Sequence, residues 1–176
     1  AREITPEIKA RIWLNYATEY SARVFHRIEN HFGSLIAARE AFAADAQVFA
    51  ALPVFIRTRL AEANQADFVE RFLERLEKKK ISFTFPGDER YPKLLAEISD
   101  PPSVLYYIGT IEPDPELSIA VIGTRQPTKY GIEIAKRFGY ELASAGALVV
   151  SGLAEGIDAC AARGALEAKS AICPTL

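Results

Sequence analysis

Two short apolar runs, each ended by glycine and followed by a helical pattern, constrain the fold of this chain most. Residues 119–122 form the first run, which ends at Gly123, and residues 148–150 form the second, which ends at Ser151 and Gly152. Uninterrupted small or β-branched residues are typical of parallel strands that are buried on both faces. The stretch therefore predicts a β-α-β-α unit whose crossover is right-handed and whose two strands run parallel.

Apolar residues at steps of three and four predict the two helices of this unit. The first helix is expected to end at Gly146 and to turn these residues inward: Ile132, Ala135, Phe138, Leu142 and Ala145. The second helix is expected to begin at Gly156, with these residues inward: Ile157, Cys160, Ala161 and Leu166. Both glycine turns then lie at the carboxyl edge of one sheet, where open α/β sheets bind ligands.

The turns at this edge have the chemistry of an anion site. Glycine turns and helix N-termini expose backbone N–H groups and a partial positive charge, which suit phosphate. Arg125, two residues after the glycine that ends the first strand, adds a guanidinium group. Its alternative role is structural, as the partner of a helix C-terminus or of a carboxylate such as Asp158, which is itself expected to stabilise a helix dipole. Tyr130 either stacks on a base or packs under the loop.

The residues GTRQPTKYG and VVSGLAEGIDACAARGAL, together with FPGDERYPKLLAEISDPPSVLYYIG before them, resemble the DNA-processing protein A (DprA/Smf) family. The resemblance is specific from Phe85 to Leu166 and looser before it, with Trp13 and residues 31–38 as the best matches. It implies a non-enzymatic protein of natural transformation that binds single-stranded DNA, protects incoming DNA and helps load a RecA-type recombinase. No cofactor is implied.

The resemblance also assigns the phosphate-binding residues. The first turn falls on Gly123, Thr124 and Arg125, and the second turn falls on Ser151, Gly152, Leu153, Gly156, Ile157 and Asp158. Lys129 is a further cation expected at this site, because the chain has few cations to focus there. Glu155 departs from the family, which usually has a basic residue there, and a carboxylate facing phosphate costs on the order of 1 kcal/mol. The chain also ends at Leu176, before the family's further strands and its dimer and recombinase contacts.

Residues 1–80 predict a small all-helical domain, SAM-like or helix-hairpin-helix-like. Helices are expected to begin at Thr5, Ser21 and Ser34, each a hydroxyl cap, and an amphipathic helix is expected over residues 67–80. A fourth, less clear helix is expected over residues 48–60. The helical hairpin at residues 18–22 lacks the glycines that phosphate-binding hairpins use, so we favour packing over DNA contact there.

Residues 81–176 are expected to form the incomplete Rossmann-like part of an α/β protein. Short strands are predicted at 81–85 and 104–108, a short helix at 91–98, and a stiff acidic loop at 112–115. A last strand is predicted over residues 171–176. An edge strand without a neighbour invites self-association, so a homodimer is one expectation and a chain cut after folding is the other.

Charge and composition limit the function classes. The chain has a net charge of −2, and its α/β part, 81–176, holds 8 Lys and Arg against 12 Asp and Glu. Bulk charge therefore does not favour nucleic acid, and a binder must focus its few cations in one place. No apolar run is long enough to span a bilayer and no leader pattern is present, so we expect a cytoplasmic protein without a membrane segment.

Catalysis and metal binding are not expected. His26 and His31 have no ligands at metal spacing, and Cys160 and Cys173 are interpreted as small apolar residues. Ser151 has no evident base. Two alternatives to DNA binding stay open: an enzyme or sensor of the lysine-decarboxylase-like Rossmann group acting on a nucleotide or nucleoside phosphate, and an interaction module without a DNA site.

Overall fold

The computed structural model describes residues 3–168. Within this range the chain forms eight α-helices, one 3-10 turn and four strands. In chain order they are α1 (Pro6–Ala17), α2 (Ala22–Phe32), α3 (Leu35–Ala44), a 3-10 turn (Ala46–Phe49), α4 (Val54–Ala63), α5 (Phe68–Lys78), β1 (Ile81–Thr84), α6 (Lys93–Ala96), β2 (Leu105–Ile108), β3 (Ser118–Ala120), α7 (Lys129–Ser144), β4 (Leu148–Val150) and α8 (Ile157–Glu167). The predicted strand at 171–176 and Cys173 lie outside the described residues.

The chain divides into two compact units, Ala1–Pro113 and Asp114–Leu176. The sequence interpretation placed the boundary near Lys80, and the structure places it well after that residue, inside the acidic proline loop. The reason is that β1 and β2 pair antiparallel with each other and pack Phe83, Phe85 and Tyr106 against the helical core. The two strands therefore complete the first unit and do not begin the second.

Local hydrogen bonding explains the helices of the first unit. Thr5, Ser21 and Ser34 each accept a hydrogen bond from the backbone N–H three residues on, which confirms the three predicted helix starts. Trp13, which is completely buried, donates its indole N–H to the carbonyl oxygen of Leu60 at 3.2 Å and so ties α1 to α4. The predicted helix over 48–60 is wrong, because the chain forms a 3-10 turn and then restarts as α4 after Pro53.

The hairpin between α1 and α2 uses its own polar groups. The N–H groups of Glu19, Tyr20 and Ser21 donate to Tyr16, Asn15 and Thr18, respectively. The hydroxyl of Thr18 is buried and donates to the carbonyl oxygen of Leu14 at 2.9 Å. These amides are therefore not available to a phosphate, which supports the packing role favoured from the sequence.

The second unit contains a two-stranded parallel sheet in which Ile119 pairs with Val149, so the predicted parallel arrangement is confirmed. The expectation that residues 119–122 are buried on both faces is wrong for the described structure. β3 ends at Ala120, which is exposed, and Ile122 is 74% exposed. Only β4 has the expected burial, with Leu148 and Val149 inside.

Helices α7 and α8 pack through small residues, which sequence hydrophobicity does not indicate. A Cβ placed on Gly139 would collide with the carbonyl oxygen of Ala161, and one on Gly164 would collide with that of Lys136. The two helix backbones therefore touch at both glycines. The buried positions of α7 are Ala135, Gly139 and Ala143.

Four of the inward positions expected from the sequence are therefore wrong. Ile132 and Phe138 of α7 are 41% and 55% exposed, Leu166 of α8 is 54% exposed, and Ala145, just after α7, is exposed as well. The predicted end of α7 is confirmed: Gly146 has φ +88° and donates to Ala143, while the next residue donates to Leu142, which is a Schellman motif. In residues 3–168, no helix has the length and apolar character needed to cross a membrane.

Candidate functional site

The carboxyl ends of β3 and β4 are followed by two loops, residues 121–128 and 151–156, which lead into α7 and α8. Ile157, the first residue of α8, joins them. A Cβ placed on Gly123 would lie 2.8 Å from the Ile157 side chain, and one on Gly131, in the first turn of α7, would lie 3.5 Å from it. Both strand-to-helix loops and both helix N-termini thus meet at one edge of the sheet.

Asp158 holds the two loops together. Its Oδ1 accepts a hydrogen bond from the backbone N–H of Gly123 at 3.0 Å, and its Oδ2 accepts one from Gly152 at 3.2 Å. The residue is only 5% exposed and lies in the first turn of α8, where a negative charge also favours the helix dipole. One carboxylate therefore fixes two turns that are far apart in the sequence.

This arrangement corrects the expectation of unpaired amides at Gly123 and Gly152, because Asp158 already occupies both N–H groups. A second link between the loops is the hydrogen bond from the N–H of Ile157 to the carbonyl oxygen of Thr124, at 3.1 Å. Gly156, with φ +101°, packs against that same carbonyl group so closely that any Cβ would collide with it. The glycines at 123 and 156 thus allow the close approach of the loops.

Other amides at this edge remain available. Within the described part of the chain, the backbone N–H groups of Thr124, Arg125, Ala154, Glu155 and Gly156 make no hydrogen bond. They lie on both of the loops that Asp158 links. The edge therefore still offers several donors to an anion, although they are not the ones expected from the sequence.

The predicted cations are at this edge and exposed. Arg125 and Lys129 form no ion pair with any residue between 3 and 168, so the alternative in which Arg125 pairs with Asp158 is not what the structure shows. Tyr130 is 72% exposed, so it does not pack under the loop. Glu155 is exposed in the second loop and adds a negative charge to the same edge.

Ser151 does not have the surroundings of a nucleophile. It is buried, and its Oγ accepts a hydrogen bond from the N–H of Leu153 at 3.2 Å. The two histidines of the chain, His26 and His31, lie on α2 in the first unit. His26 contacts Glu29 at 3.2 Å, and no cluster of three potential metal ligands occurs among residues 3–168.

Sequence reasoning missed the role of Asp158 as the shared acceptor for the amides of Gly123 and Gly152. Of the predicted site residues, Thr124, Arg125, Lys129 and Gly156 lie at the edge, and Ser151 is buried directly after β4. The signal that could have identified Asp158 is an acidic residue in the first turn of a helix that follows one glycine turn, at the sheet edge where the other glycine turn also lies.

Fold and site together define a class: an α/β protein of two units whose candidate site is a pair of linked strand-to-helix loops bearing exposed cations. A sequence model of the family described as DNA recombination-mediator protein A matches residues 82–174, more than half of the chain. The chain belongs to this family, and the resemblance stated from the motifs is confirmed.

Individual relatives agree with this membership. The chain is similar to Protein Smf of Synechocystis (40% identity over 93 residues, 51% of this chain and 23% of the relative) and to DNA processing protein DprA of Streptococcus pneumoniae (34% over 110 residues, 59% and 39%). It thus spans well under half the length of these curated relatives. The X-ray structure of DprA from Streptococcus pneumoniae has a similar fold, with a TM-score of 0.62 and 21% identity over 97% of this chain and 57% of that one.

Proposed function

We propose that this protein binds single-stranded DNA through the edge formed by loops 121–128 and 151–156. The observation that carries the proposal is that Arg125 and Lys129, both exposed, lie beside unpaired backbone amides on two linked loops. Backbone donors and a guanidinium fork are suited to phosphate oxygens. Tyr130, which is exposed next to Lys129, is available to stack on a base.

The family and the names of the relatives support a proposal for the biological role. Proteins called DNA processing protein DprA are among the similar sequences. We propose that this chain takes part in DNA uptake during natural transformation in the cytoplasm, without catalysis, protecting incoming DNA and helping to load a RecA-type recombinase. A homodimer is also proposed, and sedimentation equilibrium tests it. On fold, we propose a SAM-like helical first unit and a Rossmann-like second unit.

Replacing Arg125 tests the DNA site. Arg125→Ala should weaken binding of a fluorescein-labelled dT oligonucleotide about five- to tenfold at low salt, measured by fluorescence anisotropy. Loss of one phosphate contact should also reduce the slope of log K against log salt by about 0.7. The matched control is Arg137→Ala. Arg137 lies about 12 Å along α7 from Lys129 and already pairs with Glu141 at 2.7 Å.

Binding by Arg125→Ala equal to that of the unmodified protein would contradict the assignment of this edge. The same assay separates the nucleotide-enzyme alternative, because an enzyme of that group should prefer a mononucleotide to oligo-dT and should convert it. The alternative would be favoured if dTMP competes at nucleotide concentrations far below those at which oligo-dT binds, and if the protein also converts dTMP.

A further inference from the structure

The first unit contains an open cleft whose lining includes no residue of the candidate edge. It has a volume of about 350 Å³, which is at the lower end of the range of ligand sites. Its walls come from three places: the α1–α2 hairpin, α5, and the β1–β2 sheet. The lining residues are Tyr20, Phe72, Arg75, Leu76, Lys79, Ile81 and Tyr106.

The chemistry of these walls is aromatic and cationic. Phe72, Tyr20 and Tyr106 form a chain of edge-to-face rings, with centroids 6.1 and 6.2 Å apart. Arg75 of α5 and Lys79, the residue that follows α5, are four residues apart and are both exposed. No carboxylate is among the lining residues, and neither cation has an ion-pair partner in the range that the structure describes.

The hairpin holds Tyr20 out at the mouth of this cleft. Tyr20 is 53% exposed, and both it and Glu19 have a left-handed backbone, with φ +64° and +52°. Such a conformation costs on the order of 1 kcal/mol per non-glycine residue, so the surroundings must stabilise it. They do so through the amide hydrogen bonds of both residues and the ion pair between Glu19 and Arg59 at 3.3 Å.

We propose that this cleft binds one nucleotide of single-stranded DNA, with the base against Tyr20 and Tyr106 and its phosphate near Arg75 and Lys79. Aromatic platforms flanked by cations are how single-strand binders hold bases without sequence preference. That the ligand is DNA rests on the proposed function; the site is a second one, in the other unit.

The test is oligo-dT binding by the full chain, with two pairs of variants. Tyr20→Ala should weaken binding at least about fivefold, since one base–aromatic stack is lost, whereas Tyr20→Phe keeps the ring and should stay within twofold. Lys79→Ala should weaken binding and reduce the salt slope by about 0.7, whereas Arg27→Ala, which removes an exposed cation of α2 outside the cleft, should not. Circular dichroism checks that each variant is folded.

Photocrosslinking of the unmodified protein gives an independent reading. An oligonucleotide carrying 5-iododeoxyuridine should crosslink to Tyr20 or Tyr106, located by mass spectrometry of the peptides. Tyr20→Ala binding as tightly as the unmodified protein, or crosslinks confined to residues 114–168, would overturn the proposal. So would a loss in Lys79→Ala alone, since it would show only a distant electrostatic contribution.

The outcomes also separate this proposal from the function on which it rests. If DNA binds at the edge but not in the cleft, Arg125→Ala loses affinity for the oligonucleotide and Tyr20→Ala does not. If DNA binds in the cleft but not at the edge, Tyr20→Ala loses affinity and Arg125→Ala does not. If the unmodified protein neither binds nor crosslinks to the oligonucleotide, the proposed function itself is overturned, and the cleft proposal with it.

Discussion

Removal of the Asp158 carboxylate should destabilise the second unit by about 2–3 kcal/mol. In Asp158→Ala two hydrogen bonds to a charged acceptor are lost, each contributing about 1.5–3 kcal/mol, so about 3–6 kcal/mol is the upper limit. Part of this is recovered, because Gly123 and Gly152 are exposed and water can reach their amides once the loops separate. Burying a carboxylate is itself costly, and the variant no longer bears that cost.

The assay is hydrogen exchange read by mass spectrometry on peptides that cover residues 117–126 and 148–160. Faster exchange by about 30- to 150-fold corresponds to the expected loss in a regime where opening is at equilibrium. Asp158→Asn is a more specific test, because it keeps the size of the side chain. Its amide oxygen can accept a hydrogen bond from one glycine, but its NH₂ group faces the N–H of the other. We expect it to lose at least half as much as the alanine variant. Glu155→Gln, an exposed acid in the same loop, is the matched control.

The DNA affinity of Asp158→Ala separates geometry from charge. If only electrostatics mattered, removing a negative charge from a phosphate site would tighten binding. We expect weaker binding, because the two loops that carry the free amides lose their common anchor. Exchange within about twofold of the unmodified protein, with unchanged or tighter oligonucleotide binding, would refute the role given to this carboxylate.

Two further predictions concern packing and titration. Gly139→Ala should destabilise the second unit by about 2–3 kcal/mol, because its Cβ meets the carbonyl oxygen of Ala161; the same exchange experiment measures it, and Ala135→Gly is its small-residue control. Burial raises the pKa of Tyr91 to about 12, so the stability that its neutral phenol contributes is complete below about pH 10 and lost as pH rises through 12. Urea unfolding followed by the single tryptophan should show this alkaline loss, and Tyr91→Phe should reduce it.

Features set by neighbours in the sequence were predictable. The hydroxyl caps at Thr5, Ser21 and Ser34 and the glycine end of α7 depend on hydrogen bonds between near neighbours, so the local sequence contains the whole interaction. The parallel pairing of β3 with β4 was also predictable, because a helix-length connection between two apolar runs leaves few alternatives.

Features set by distant contacts were not predictable. The inward face of α7 is the one with Gly139, because backbone contact with α8 needs the smallest residues, whereas a hydrophobicity pattern favours Phe138. The boundary at Pro113 depends on where Phe83 and Tyr106 pack, which no local signal near Lys80 reveals. The acceptor for the N–H of Gly123 lies on a different helix, far along the chain, so the amide looked free from the sequence.

The glycine contacts between α7 and α8 also bear on how mutational surveys of this protein should be read. Gly139 lies about 15 Å along α7 from Lys129, far from the phosphate position in the proposed site. Yet any side chain there or at Gly164 would displace one helix along the other and shift the loop from which it starts. A selection for oligonucleotide binding should therefore identify both positions as apparent binding residues, although neither would contact DNA bound at the proposed edge.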